Sequence, residues 1–190
     1  MRKKQEEAER QRSREAENHR TFTLVTHSPE ETLVLGRRCG ELLESGQVVA
    51  LCGPLGAGKT TFTKGVAQGL GVEEARDVKS PTFVLIKEYA GRVPIAHVDL
   101  YRIETLAAAE RLDLQAYFDG AHVCLIEWAE KFPALLPSEH LRVTFAHRAP
   151  TEREITVEPR GARATHLVAA LGRQPRHAAP PARRSRATTR

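Results

Sequence analysis

The segment from Gly53 to Thr60 constrains the fold of this chain more than any other feature. It reads Gly-Pro-Leu-Gly-Ala-Gly-Lys-Thr, which matches the phosphate-binding pattern G-x-x-x-x-G-K-[ST]. The apolar run Val48–Cys52 directly precedes it, and a helix is predicted behind it from 60 to 70, ended by Gly71. Strand, glycine-rich turn and helix in this order predict an α/β domain that binds a nucleoside triphosphate.

The residue types in this loop match the chemistry of phosphate binding. Glycines let backbone N–H groups converge on phosphate oxygens, and Lys59 is placed to reach the β and γ phosphates. The Thr60 hydroxyl is placed to ligate Mg²⁺. A glycine-rich turn can also be a plain connector, but the Lys-Thr-Thr run favours phosphate binding.

The 190 residues are enough for one α/β domain with charged ends. Residues 1–20 hold 7 Lys/Arg and 5 Asp/Glu with almost no apolar side chain, and residues 173–190 hold 6 Arg and no acid. We expect both segments to be disordered, with the folded domain over residues 21–172. The two ends together carry more positive charge than the net +5 of the whole chain, so the domain between them is mildly acidic. We therefore assign any contact with an anion such as tRNA to the Arg-rich residues 173–190.

Cysteine usage and hydropathy predict a cytoplasmic protein. Cys39, Cys52 and Cys124 lie far apart in apolar stretches without metal-ligand spacing, which indicates reduced core residues. No apolar run approaches the roughly 18 residues of a membrane span, so we expect no membrane partner.

Periodicity predicts the remaining elements. Ser28-Pro29-Glu30-Glu31 is a capping box that begins a helix running to about Ser45. A second helix is expected over 105–118. The further strands are predicted at 21–26, 82–89, 94–100, 122–126, 141–147 and 152–159.

Two acidic residues end predicted apolar strands. Asp99 closes the run from Ile95, and Glu127 closes the run from Val123. The carboxyl ends of strands line the ligand crevice of open α/β sheets, where carboxylates hold Mg²⁺ directly or through water and orient the attacking water. Either acid alone could be a solvated loop residue, but two of them with a phosphate loop favour a catalytic site.

Other polar and aromatic residues are weaker candidates. The hydroxyls of Ser80 and Thr82 flank Pro81 and could reach phosphate, metal or water, or simply form a turn. Trp128 follows Glu127 and could cover the site or contact a partner, with core packing as the simpler interpretation. His97 is interpreted as a structural imidazole in preference to a metal ligand.

Taken together, four motifs in this order resemble the bacterial TsaE (YjeE) family of P-loop ATPases. They are the loop from Gly53 to Gly65, Val78-Lys79-Ser80-Pro81-Thr82-Phe83, His97-Val98-Asp99-Leu100-Tyr101-Arg102, and Ile126-Glu127-Trp128. The resemblance covers roughly residues 22–161. One departure is Ala129, where the family commonly has proline.

The resemblance implies a three-layer α/β/α sandwich with a mixed sheet, which binds ATP and Mg²⁺. It also implies slow hydrolysis in the service of a TsaB–TsaD complex, in which TsaD transfers the threonylcarbamoyl group to tRNA, so that tRNA is met through the complex. Thr61 then supports the loop, Thr82 belongs to a switch-like segment, and Asp99 and Glu127 serve the metal and hydrolysis. The predicted catalytic residues are Glu127, Asp99 and Thr82, the metal residues Thr60, Glu127 and Asp99, and the nucleotide-binding residues Gly53, Leu55, Gly56, Ala57, Gly58, Lys59, Thr60 and Thr61.

Two other function classes fit a phosphate loop. A P-loop kinase of a small metabolite or nucleotide usually supplies several arginines to the transferred phosphoryl group. Here the region before the last strands contains Arg102 and Arg111 but no such arginine cluster. A nucleotide-switched binding module without turnover is the other alternative, and partner-stimulated hydrolysis would distinguish it from an ATPase.

Overall fold

A computed structural model describes residues 21–118 and 120–173 of the chain. The expectations for residues 1–20 and for 174–190 therefore lie outside the described residues. Within the described residues, seven strands form one mixed sheet in the order β1-β7-β6-β2-β5-β4-β3. The strands are β1 Phe22–Thr26, β2 Val48–Cys52, β3 Ile86–Tyr89, β4 Ile95–Asp99, β5 Val123–Glu127, β6 His140–His147 and β7 Arg153–Arg160.

The centre of the sheet is parallel and its edges are antiparallel. β2 runs parallel to both β5 and β6, and β4 runs parallel to β5. Every residue of β2, β4 and β5 is buried, as expected for parallel strands covered on both faces. β1, β3 and β7 add antiparallel pairings outside this core.

Helices cover the two faces of the sheet unequally. Against one face pack the longer helices, which are α1 Pro29–Leu42, α2 Lys59–Gly69 and α4 Ala162–Arg173. The other face is covered over β2, β4 and β5 by α3 Leu106–Glu110 and by short 3-10 turns. This arrangement confirms the mixed-sheet α/β sandwich. None of the helices described between residues 21 and 173 has the length and apolar character needed to cross a membrane.

The start of α1 follows the predicted capping box. The Ser28 hydroxyl accepts a hydrogen bond from the Glu31 N–H at 3.2 Å, and the Glu31 carboxylate accepts one from the His27 N–H at 2.8 Å. Pro29 occupies the first helical turn, where its missing N–H costs nothing. The helix ends at Leu42, three residues before the predicted end.

Helices α1 and α2 cross at backbone contact through four glycines. A Cβ atom added to Gly36 or Gly40 would lie 2.2 Å from the carbonyl oxygen of Phe62 or Val66, respectively. A Cβ atom added to Gly65 or Gly69 would lie 2.1 Å from a carbonyl oxygen of α1. Only glycine permits this approach, which fixes the helix behind the phosphate loop against its neighbour.

Two predictions of secondary structure are wrong, and one helix was not predicted. The strand predicted at 82–89 begins only at Ile86, because the chain turns before it and Leu85 adopts a φ of 67°. The helix predicted at 105–118 is broken after Glu110, since Asp113 takes a left-handed φ of 48°. Helix α4 was not predicted, although its buried residues recur with helical spacing at Ala164, Leu167, Val168 and Leu171.

The interpretation of the cysteines as core residues is confirmed. Cys39, Cys52 and Cys124 are all buried and free. Burial raises the thiol pKa to about 12 at Cys39 and Cys124, and to about 11 at Cys52.

Candidate nucleotide-binding site

Strand register brings the two predicted acids together. Asp99 and Glu127 are direct partners in the parallel β4–β5 ladder, and Glu127 pairs with Leu51 of β2 on its other side. The phosphate loop leaves β2 at this same edge. The resulting cleft of about 390 Å³ is lined by Leu55, Gly56, Ala57, Gly58, Lys59, Thr60, Thr61, Ser80, Thr82, Asp99, Tyr101, Glu127 and Trp128. Of the predicted site residues, only Gly53 lies outside this lining.

The loop conformation depends on its glycines. Gly53, Gly56 and Gly58 have φ values of 131°, 72° and 105°, which L-residues with side chains rarely adopt. Gly58 precedes α2 without a side-chain cap, so the N–H groups of the first helical turn face the cleft. The positive end of the helix dipole favours an anion at this position.

Lys59 lies folded along the loop. Its ammonium group donates to the carbonyl oxygens of Gly53 at 2.5 Å and Pro54 at 2.9 Å, and it lies 3.9 Å from the centre of the Trp128 ring. Burial lowers the pKa of this lysine, and the nearby Glu127 carboxylate offsets part of the effect. The ammonium group is therefore held at the cleft by contacts that phosphate oxygens could replace.

Thr60 and Glu127 are hydrogen-bonded across the cleft. The Thr60 hydroxyl donates toward both Glu127 carboxylate oxygens at 3.0 Å. The Glu127 Oε1 also lies 2.9 Å from Nε2 of His97, a residue with no exposed surface. Glu127 itself is only 2% exposed, so these contacts compensate for the burial of its carboxylate.

Asp99 binds the segment that carries Ser80 and Thr82. Its Oδ2 accepts from the Ser80 hydroxyl and, at 2.8 Å, from the Thr82 hydroxyl. Its Oδ1 accepts from the Tyr101 N–H at 2.8 Å. Both carboxylate oxygens are thus engaged with neighbouring chain segments, and the Thr82 hydroxyl reaches the cleft through this cluster.

A 3-10 turn at Ala129–Lys131 carries two charged residues, Glu130 and Lys131, whose contacts beside the cleft were not predicted from the sequence. Glu130 accepts a hydrogen bond from the Gly53 N–H at 2.9 Å, at the first residue of the phosphate loop. Lys131 donates to the carbonyl oxygens of Leu100, Tyr101 and Ile103 in the segment after β4. The available signal was a pair of opposite charges one residue after the strand-ending acid and its aromatic neighbour.

Trp128 connects these parts of the site. It has a left-handed φ of 63°, which directs the chain into the following turn. Its half-buried ring lies between Lys59 and the Tyr101 ring, whose centroid is 4.9 Å away. Trp128 thus contributes both to the core and to the cleft, so neither sequence interpretation of it alone is sufficient.

The donor set fits a magnesium ion that is also bound by phosphate. A hydroxyl has one hydrogen and two lone pairs, so Thr60 can donate to Glu127 and still ligate a cation. Mg²⁺ usually takes only one or two protein oxygens and completes its shell with water and substrate phosphates. One hydroxyl and one buried carboxylate at a phosphate loop meet that requirement.

Comparison with known proteins identifies relatives of this chain. The profile of the family described as Threonylcarbamoyl adenosine biosynthesis protein TsaE matches residues 26–155. A protein of Bacillus subtilis named tRNA threonylcarbamoyladenosine biosynthesis protein TsaE is 45% identical over 149 residues, which cover 78% of this chain and 92% of that protein. A Treponema pallidum protein of the same name is 41% identical over 133 residues, 70% of this chain and 97% of its own length. The crystal structure of Bacillus subtilis YdiB superposes with a TM-score of 0.68 at 37% identity, covering 82% of this chain and 96% of that one.

Proposed function

This chain belongs to the TsaE family, and we propose that it binds and hydrolyses ATP with Mg²⁺ for the threonylcarbamoyladenosine modification of tRNA. The observation that carries the proposal is the hydrogen bond between Thr60 of the phosphate loop and Glu127 at the end of the neighbouring strand. The names of the relatives favour this role over the small-molecule kinase.

Nucleotide binding uses the loop and the start of α2. The backbone N–H groups of residues 55–61 surround the phosphates, and Lys59 exchanges its carbonyl contacts for the β and γ phosphate oxygens. Thr60 and Glu127 are the residues that would hold a magnesium ion at the phosphates. The ion neutralises charge on the phosphates when it is bound.

Glu127 has the catalytic role in this proposal. Its carboxylate orients the attacking water and accepts a proton from it, since it lies at the cleft beside Thr60. Asp99 serves the reaction through Ser80 and Thr82, whose hydroxyls it holds at the cleft wall. Thr82 can then respond to the γ phosphate as part of a switch-like segment.

The test of catalysis is hydrolysis by the Glu127→Ala variant. We expect MgATP affinity within about threefold of wild type and turnover lowered by about 100-fold or more, as for loss of a general base. Glu158→Ala on β7, a residue that does not line the cleft, is the control for loss of one carboxylate and should behave as wild type. Unchanged turnover in Glu127→Ala would move the catalytic role to another residue.

The partner complex proposed is the TsaB–TsaD pair, with tRNA reached through that complex in the cytoplasm. Support comes from apolar side chains around the cleft mouth, where Leu55, Phe83 and Val84 are 70%, 83% and 67% exposed. Exposed apolar groups beside a polar cleft are typical of a contact surface. Hydrolysis should rise when the TsaB–TsaD pair is added, and transfer of phosphate to a small acceptor without such stimulation would instead indicate a kinase.

A further inference from the structure

We propose that His97 is a positioning residue that fixes Glu127 by its Oε1, so that Oε2 is the oxygen that acts on the reacting groups. The proposal rests on the catalytic role of Glu127 proposed above and assigns the part played by each of its oxygens. His97 lies in the middle of the buried strand β4 and has no exposed surface. Its Nε2 lies 2.9 Å from Glu127 Oε1.

The contacts of the two carboxylate oxygens are unequal. Thr60 lies 3.0 Å from both oxygens, but its hydroxyl has one hydrogen, so the two oxygens share that donor. Oε1 receives in addition the hydrogen bond from His97, whereas Oε2 has only the shared contact. Oε2 therefore retains more unused acceptor capacity, and it is the oxygen available to a water molecule at the cleft.

The tautomer of the ring follows from this contact. A carboxylate oxygen only accepts, so the hydrogen is on Nε2 of His97. The other ring nitrogen, Nδ1, is buried and has no hydrogen-bond partner among the described residues. The aromatic ring of Tyr89, with its centroid 6.4 Å from that of the imidazole, packs near His97.

An unpartnered buried nitrogen is costly, so packing alone does not explain a histidine at this position. A leucine would fill a similar volume without leaving a polar atom unsatisfied. The group that histidine supplies here, and that leucine lacks, is the Nε2–H that reaches Glu127. Residues that orient a functional carboxylate in this way typically change activity by about 10- to 100-fold when they are removed.

The test compares three substitutions of His97 by single-turnover ATP hydrolysis and by MgATP affinity. His97→Leu removes the contact and should slow hydrolysis by about 10- to 100-fold, with affinity within about threefold of wild type. In His97→Gln the amide nitrogen reaches the position of Nε2, and most of the rate should return. The amide of His97→Asn reaches only the position of Nδ1, so this variant should stay slow even though it is polar.

Folding is controlled separately. Thr63→Val removes the hydroxyl of another buried residue, which like Nδ1 of His97 has no hydrogen-bond partner among the described residues. It matches the burial of His97 but not the contact with Glu127, so its rate of hydrolysis should equal that of wild type. If His97→Leu does not fold, the comparison of the hydrolysis rates of His97→Gln and His97→Asn tests the positioning role. Equal rates in those two variants, or a loss of affinity in proportion to the loss of rate, would overturn the positioning role.

A readout without nucleotide keeps the inference separate from the proposed ATPase activity. Nitrogen NMR of the histidine rings in the free protein should show His97 with its hydrogen on Nε2, and Glu127→Ala should shift that Nε2 signal. A hydrogen on Nδ1 would overturn the proposal. If wild-type protein does not hydrolyse ATP, the proposed function fails, while the ring NMR still decides the contact between His97 and Glu127.

Discussion

The ammonium group of Lys59 lies 3.9 Å from the centre of the Trp128 ring, so the only tryptophan of the chain reports directly on the lysine of the phosphate loop. A phosphate that draws Lys59 away removes a cation from the indole face. We expect Trp128 fluorescence to change on addition of MgATP, with saturation at the affinity measured by calorimetry. A fluorescence signal that is unchanged at saturating nucleotide would contradict the predicted movement of Lys59.

The variant Lys59→Ala should lose nucleotide binding. Removing the buried cation leaves the β and γ phosphates without their main side-chain donor, and we expect affinity to fall by about 100-fold, within the range for losing a charge-assisted contact. Calorimetry checks this without relying on tryptophan. Wild-type-like ATPase activity in Lys59→Ala would contradict the assignment of the site.

Asp99→Ala should loosen the segment around Ser80 and Thr82. Asp99 accepts hydrogen bonds from both hydroxyls and from the Tyr101 N–H, so its removal takes the acceptor away from three donors and leaves the two hydroxyls only their mutual contact of 2.9 Å. Hydrogen exchange should accelerate in residues 80–85 and 100–102, while the exchange of α2 stays as in wild type. Equal exchange in the two proteins would show that other contacts hold this segment.

Gly40→Ala should destabilise the fold through the contact between α1 and α2. The added methyl group would lie 2.2 Å from the Val66 carbonyl oxygen, and the helices can relieve this only by separating. We expect the free energy of unfolding to fall by about 2 kcal/mol or more in chemical denaturation. Gly172→Ala in α4 is the matched control, since its Cβ meets nothing within 4 Å, and it should be neutral or slightly stabilising.

The three thiols should be unreactive in the folded protein. Burial raises the thiol pKa of Cys39 and Cys124 to about 12 and that of Cys52 to about 11, from a reference value of 9.0, so almost no thiolate forms at pH 8. A thiol reagent should react slowly with the native protein, and it should label all three cysteine thiols after denaturation.

The same shifts predict a loss of stability at alkaline pH. Because the folded-state pKa values are raised, the unfolded state releases its thiol protons first, and the free energy of unfolding should fall as the pH rises from about 9 toward 11. Rapid labelling of native protein at pH 8 would contradict the burial of these residues.

The motif and the strand ends made the centre of this structure predictable. A phosphate loop needs a preceding strand and a following helix. The apolar runs that end at Asp99 and Glu127 have the length of strands and are too short for typical helices, so they predicted buried strands. Parallel pairing then brings the two carboxylates together at one edge of the sheet. These features follow from local sequence and from a general property of α/β sheets.

The features that were not predicted depend on contacts distant in sequence. The link from His97 to Glu127 joins residues 30 positions apart, and the contact of Glu130 with Gly53 joins residues 77 positions apart. The residues with left-handed φ values, Leu85, Asp113 and Trp128, are neither glycine nor asparagine, so the sequence does not indicate a turn at these positions. The strand predicted at 82–89 and the helix predicted at 105–118 were therefore too long. Helix α4 follows the strand β7 after a single residue, Gly161, and no element was predicted over residues 162–172, although the apolar residues there recur with helical spacing.

The glycine crossing of α1 and α2 divides the cleft into a fixed wall and an adjustable wall. Lys59 and Thr60 belong to α2, which cannot slide or rotate without moving α1, because the two backbones are in direct contact. The opposite wall is held by individual side chains, with Asp99 holding residues 80–82 and Lys131 holding the carbonyls after β4. We therefore expect nucleotide binding to displace mainly the adjustable wall. Phe83 and Val84, which are exposed next to residues 80–82, would move with it and change the surface of the protein.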